Sequence, residues 1–170
     1  MLLLLGMAAA WGGSPSEYQL KAVFLFNFTQ FVEWPPQAFV GPEAPFVIGI
    51  VGRDPFGSQL DEVVRGETVD KRQIVVQRYR NIRELQNCNI LYIARSESAN
   101  LPSILAVLEG RSVLTVTDAE DANQLGVMIR LVTDGNHIRL RIDVGAAKAS
   151  SLTISSKLLR PAEIVGRSEG

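Results

Sequence analysis

The chain has 170 residues, 46% hydrophobic and 21% charged, which suits one full hydrophobic core and leaves two packed domains cramped. Lys plus Arg number 17 against 18 Asp plus Glu, a net charge of -1, so composition supplies no electrostatic drive toward nucleic acid. One cysteine, Cys88, excludes an intramolecular disulfide, and one histidine, His137, leaves a zinc site without its usual ligands.

The first sixteen residues carry no charged side chain. Met1 to Met7 is almost continuous Leu, Ala8 to Ala10 is a run of small residues, and Trp11-Gly12-Gly13-Ser14-Pro15 breaks any helix. This is the pattern of a secretory leader, and its apolar stretch is too short for the ~20 residues that a membrane span needs. Cleavage near Ala10 or Gly13 would release a mature chain beginning close to Ser14, giving a leader over residues 1–13 and one exported α/β domain over residues 14–170 that does not itself span a membrane.

Ser16 to Val32 reads as a helix, capped by Ser14 or Ser16 and stopped by Trp34-Pro35-Pro36. Tyr18, Phe24, Phe26, Phe28 and Phe31 point nearly all the way around it, which predicts burial on most sides. Phe46 to Val51 is an apolar run of the kind found in strands covered on both faces. Asp54 as N-cap and Pro55 in the first turn then predict a helix to Arg65, closed by Gly66.

The alternation continues: strand Gln73 to Arg78, a short helix near Asn81 to Gln86, strand Asn89 to Ala94, helix Ser98 to Glu109, and strand Ser112 to Thr117 with alternating character. Such alternation predicts parallel strands with crossover helices on both faces, a three-layer α/β/α arrangement around a mixed, mostly parallel sheet. Asp118 to Gln124 is polar and predicts a short helical turn. Val127 to Thr133 and Asn136 to Ile142 flank Asp134-Gly135, a strong signal for an antiparallel hairpin toward the C-terminus. Short helical pieces follow at Asp143 to Ser150 and Ser155 to Arg160.

No nucleophile elbow, His-Glu-x-x-His helix or paired carboxylates stand in the sequence, so nothing points to an enzyme, a metal or a cofactor. Gly52 to Ser58 has the glycine spacing of a phosphate loop but lacks its lysine, and Asp54 would repel phosphate. A tight turn before a helix explains it, although it lies where open α/β sheets usually place ligands. Cys88 opens an apolar run and reads as a buried small hydrophobe.

A two-residue Asp134-Gly135 loop pairs Leu131 with Ile138 and Ile129 with Leu140 on the core face. The other face then sets Arg130 opposite Arg139, with His137 and Arg141 nearby. Like charges directly opposite are unfavourable unless neutralised, so this face is solvated, paired internally with acids such as Asp118 or Glu120, or meets an anion or acidic partner. Four further residues each carry two readings. Asn27 is satisfied in the core or faces a groove; Trp34 packs at the helix exit or anchors an interface; Phe56 is core or contact; Lys157 is a solvated charge or part of a contact surface.

Ser16-Glu17-Tyr18-Gln19-Leu20-Lys21-Ala22-Val23-Phe24-Leu25-Phe26-Asn27-Phe28, Val32-Glu33-Trp34-Pro35, Ile48 to Gly57 and Leu152-Thr153-Ile154-Ser155-Ser156-Lys157-Leu158-Leu159 resemble the YfiR-like periplasmic proteins over nearly the whole chain beyond the leader. The resemblance implies a periplasmic negative regulator that binds the periplasmic domain of a membrane-bound diguanylate cyclase, represses it, and so lowers cyclic-di-GMP and biofilm formation. It extends to proteins that dimerise. The alternative is a periplasmic small-molecule binding or sensor protein, or an accessory of a transport system. Cys88 stands alone where well-known relatives carry several cysteines, Asp143 stands where the pattern often has Asn, and Pro161 interrupts a segment that in relatives is apolar and helical.

Overall fold

The computed structural model describes residues 15–166, so the leader predicted over residues 1–13 lies outside the described residues. Helix α1 (Glu17–Phe31) opens with a capping box: Ser16 Oγ accepts from the Gln19 amide at 3.2 Å, and Gln19 Oε1 accepts from the Ser16 amide at 2.8 Å. Its fully buried stripe is Lys21, Ala22, Leu25, Phe28 and Thr29, the i, i+3, i+4 spacing of one helix face. Phe24, Phe26 and Phe31 are half-buried beside it, while Val23 is 44% exposed. The helix is therefore covered along one broad side and wet on the other.

The strands are β1 (Val32–Glu33), β2 (Phe46–Val51), β3 (Thr68–Val69), β4 (Arg72–Tyr79), β5 (Ile90–Ile93), β6 (Leu114–Thr117), β7 (Ile129–Asp134), β8 (His137–Asp143), β9 (Thr153–Ile154) and β10 (Glu163–Val165). The helices after α1 are α2 (Gln59–Val64), α3 (Leu101–Leu108), α4 (Ala122–Leu125), α5 (Val144–Ala149) and α6 (Ser156–Leu159). Eight strands form one sheet in the order β10-β8-β7-β6-β5-β2-β4-β3. Pairing is parallel from β4 through β2, β5 and β6 to β7, antiparallel for β7–β8 and β3–β4, and parallel again for β8–β10. A separate two-stranded antiparallel sheet joins β1 to β9.

Alternate residues of the central strands divide two cores. Ile48, Ile50, Ile90, Tyr92, Leu114 and Val116 face α1 and α2, whereas Val51, Leu91 and Ile93 face Leu101, Ile104 and Leu108 of α3. The expected mixed sheet, mostly parallel with helices on both faces, is thus the observed architecture.

Several local expectations are corrected. The helix predicted from Asp54 begins only at Gln59, because Asp54 Oδ1 accepts from the Phe56 amide at 2.7 Å and folds the chain into a side-chain-closed turn. Arg78 braces that turn through Asp54 and the Gly57 carbonyl, so the phosphate-loop spacing is a structural turn. Asn81 to Gln86 forms only a 3-10 turn, Ile82–Glu84, and the first part of the next predicted helix is also 3-10, Arg95–Asn100. Strand β6 is buried on both faces despite its alternating sequence, because Thr117 Oγ1 donates to the Ile93 carbonyl at 2.6 Å and Thr115 Oγ1 accepts from the Met128 amide at 3.0 Å.

The hairpin has its predicted faces but a register shifted by two. Its loop is Gly135-Asn136, with Gly135 at φ +60° in the first central position, so Asp134 pairs with His137. Arg130 consequently lies opposite Arg141, and Arg139 opposite Val132.

Candidate binding surface

Strand β2 leads toward β4 on one side of itself, while β5, its neighbour on the other side, leads on to β6. Their carboxyl ends form the switch point where open α/β sheets ordinarily take ligands. Here the two loops pack together: the Arg53 amide donates to Ser96 Oγ at 2.9 Å. A Cβ on Gly52 would lie 2.7 Å from both Ser96 Oγ and Glu97 Cγ.

Beside this point a charged cluster is built on two buried groups, Lys21 and Asp118, with Glu17 and Arg95 at its exposed rim. Lys21, with a fully buried side chain, donates to Asp118 Oδ2 at 2.7 Å and to Glu17 Oε1 at 2.5 Å. Tyr18 Oη donates to the same Asp118 oxygen at 2.9 Å, and Arg95 Nε stands 3.2 Å from Asp118 Oδ1. Burial works to raise the Asp118 carboxyl, but the hydrogen bond and charge of Lys21, with Tyr18 and Arg95, outweigh it and hold the group below its ordinary value. Phe56 and Tyr92 line the apolar wall, their rings edge-on at 4.8 Å, and the buried Tyr92 hydroxyl makes no hydrogen bond of good geometry among the described residues. Sequence reasoning missed Lys21; a lysine inside an apolar run that covers most of a helix was the available signal.

The predicted contact residues separate into two groups. Phe56 is 2% exposed between Tyr18 and Tyr92, so its contact reading is corrected to core. Trp34 is half-buried: its indole donates to the Asn89 carbonyl at 3.0 Å and its ring meets Phe46 edge-on at 4.8 Å. Lys157 is exposed with its ammonium 5.7 Å from the Phe31 ring centre, and Asn27 is half-buried one helical turn before Phe31. Trp34 and Lys157 flank the place where β1 pairs with β9. The opening and closing sequence blocks therefore meet there and close the fold.

Arg130, His137, Arg139 and Arg141 come together on one face of β7 and β8. Arg139 lies 2.9 Å from Asp134 and Arg141 lies 2.9 Å from Glu163 of β10, while Asp118, one expected partner, is engaged by Lys21 and Arg95. Elsewhere, a groove of about 890 Å³ between α3, α5 and β10 is lined by Leu105, Leu108, Val113, Val144 and Ile164 among others. Cys88 is buried, and burial pushes its thiol up to about 12, which suits the packing role read from the sequence.

The YfiR/HmsC-like family profile matches residues 18–163. The chain belongs to that family. No curated protein matches it at a significant level. The YfiR/HmsC-like match spans both sequence blocks that meet at β1 and β9, the buried Lys21–Asp118 pair and the arginine face. No helix among the described residues of this YfiR/HmsC-like chain is long and apolar enough to cross a membrane.

Proposed function

We propose that the chain is an exported regulator that binds the periplasmic domain of an inner-membrane diguanylate cyclase and represses it, lowering cyclic-di-GMP and biofilm formation. Membership of the YfiR/HmsC-like family over residues 18–163 carries this reading. The arrangement of the chain's conspicuous residues supports it, since the arginine cluster lies on the surface and the residues at the switch point pack on one another. A binder represses only by preferring the inactive arrangement of its target, and turning a 1:99 population into 99:1 takes about 10⁴-fold preference.

Deletion of the gene is expected to raise cyclic-di-GMP, and the chain without its leader, used as bait in an envelope extract, is expected to recover a membrane cyclase. Unchanged cyclic-di-GMP together with no membrane enzyme on the bait would overturn the reading, as would full-length chain found in the cytoplasm with its leader intact. The groove favours a second reading, a small-molecule sensor, because about 890 Å³ lies within the ~300–1,000 Å³ usual for ligand pockets.

A further inference from the structure

The sheet is not covered evenly. On the face packed by α3, the buried cluster includes residues of β2, β5, α3 and α4 and reaches Val127, but no residue of β7, β8 or β10 belongs to it. Helix α4 covers the near end of these strands, where Asn123 Nδ2 donates to the Val127 carbonyl at 3.1 Å and to the Arg141 carbonyl at 3.5 Å. From that edge outward the side chains of Arg130, Arg141, Arg139 and His137 stand on the face opposite Ile129, Leu131, Leu140 and Ile142, which are core.

This face holds three guanidinium groups and two exposed acids; a third acid, Asp143, is buried at the end of β8, where its Oδ1 accepts from the Ala146 amide and caps α5. Arg139 is 73% exposed and paired with Asp134, itself 56% exposed; Arg141 is 41% exposed and paired with Glu163, itself 60% exposed. Arg130 lies directly opposite Arg141, and among the described residues it has no ion pair and no hydrogen-bond partner for its buried Nε. Two arginines in direct cross-strand register repel, and a guanidinium fork matches a carboxylate in two-point geometry.

We infer that the bare β7–β8–β10 face is a docking surface for a protein segment carrying two or more carboxylates, with Arg130, Arg139 and Arg141 receiving them. The inference rests on the proposed function for the partner's identity and on the arginine geometry alone for its chemistry.

The test measures binding of the purified chain to two probes, the periplasmic domain of the cyclase and fluorescent poly-L-glutamate, at low and high salt, beside phosphatidylglycerol vesicles. R139E and R130Q are expected to weaken binding to both probes about tenfold and to flatten the salt dependence, with the melting temperature moving by less than about 4 °C. R83E, which makes the same charge change as R139E at an exposed site in the β4–β5 connection, is expected to bind as the wild type does. Cyclase binding that R139E and R130Q leave unchanged overturns the inference and spares the proposed function. Arginine-dependent poly-L-glutamate binding without cyclase binding does the reverse. Binding to vesicles alone, or to no probe, also overturns the inference.

Discussion

Lys21 and Asp118 are 97 residues apart in the chain, yet each side chain is almost completely buried against the other. Removing one partner of such a pair leaves a charge stranded in a poorly polarisable interior, which costs about 3–5 kcal/mol in comparable cases. Asp118→Asn is expected near about 3 kcal/mol, the lower end, because Lys21 keeps Glu17. The combined Lys21→Met, Asp118→Leu change is expected to destabilise by less than the sum of its parts. Urea unfolding of Lys21→Met, Asp118→Leu and the double variant measures this, and additive losses would show that the two groups do not act as a pair.

At the scale of elements, glycine conformation separates turns that specify the fold from turns that only link it. Gly52, at φ +96°, ends β2 where a Cβ would lie 2.7 Å from the side chains of Ser96 and Glu97. Gly52→Ala combines a left-handed backbone, about 1–2 kcal/mol for a residue with a Cβ, with displacement of the loop after β5. A loss above about 2 kcal/mol is expected. Gly41→Ala, with nothing within 4 Å of its Cβ, is expected to be neutral or slightly stabilising. Equal melting temperatures for the two variants would contradict the close packing at the switch point. The hairpin teaches a related lesson: Asp-Gly announced a turn correctly, but placing Gly135 first in the loop instead of second moved every pairing by two residues and set Arg130 against Arg141. Both arrangements keep the same faces, because a shift of two preserves the strand's alternation.

For the molecule as a whole, the carboxylates around the buried Lys21, exposed Glu17 and buried Asp118, make stability depend on pH in a definite direction. Lys21 and Thr133 hydrogen bonds hold the Glu17 carboxyl below 4.5, and Asp118 is held below 3.8. The folded chain thus binds fewer protons than the unfolded chain as these groups titrate. Their contribution is complete above the ordinary carboxylate values and disappears as pH falls through the folded ones. Acid unfolding below about pH 4 is expected, with a shallower slope for Asp118→Asn, as followed by circular dichroism. Identical acid limbs would assign the transition to other carboxylates.

Apolar runs, caps and turn residues were enough to predict a three-layer α/β molecule, a first helix opening at Ser14 or Ser16, the strands β2 and β4 to β8 and the packing role of Cys88, because each of these follows from neighbours close along the chain; the two-residue β3 carried no such signal. Only the tertiary structure decided the order of the strands, the β1–β9 closure, the partner of Lys21 and the bare side of β7 and β8. Those depend on which distant segments share a face, and local side-chain chemistry carries no record of the contact that long-range packing selects.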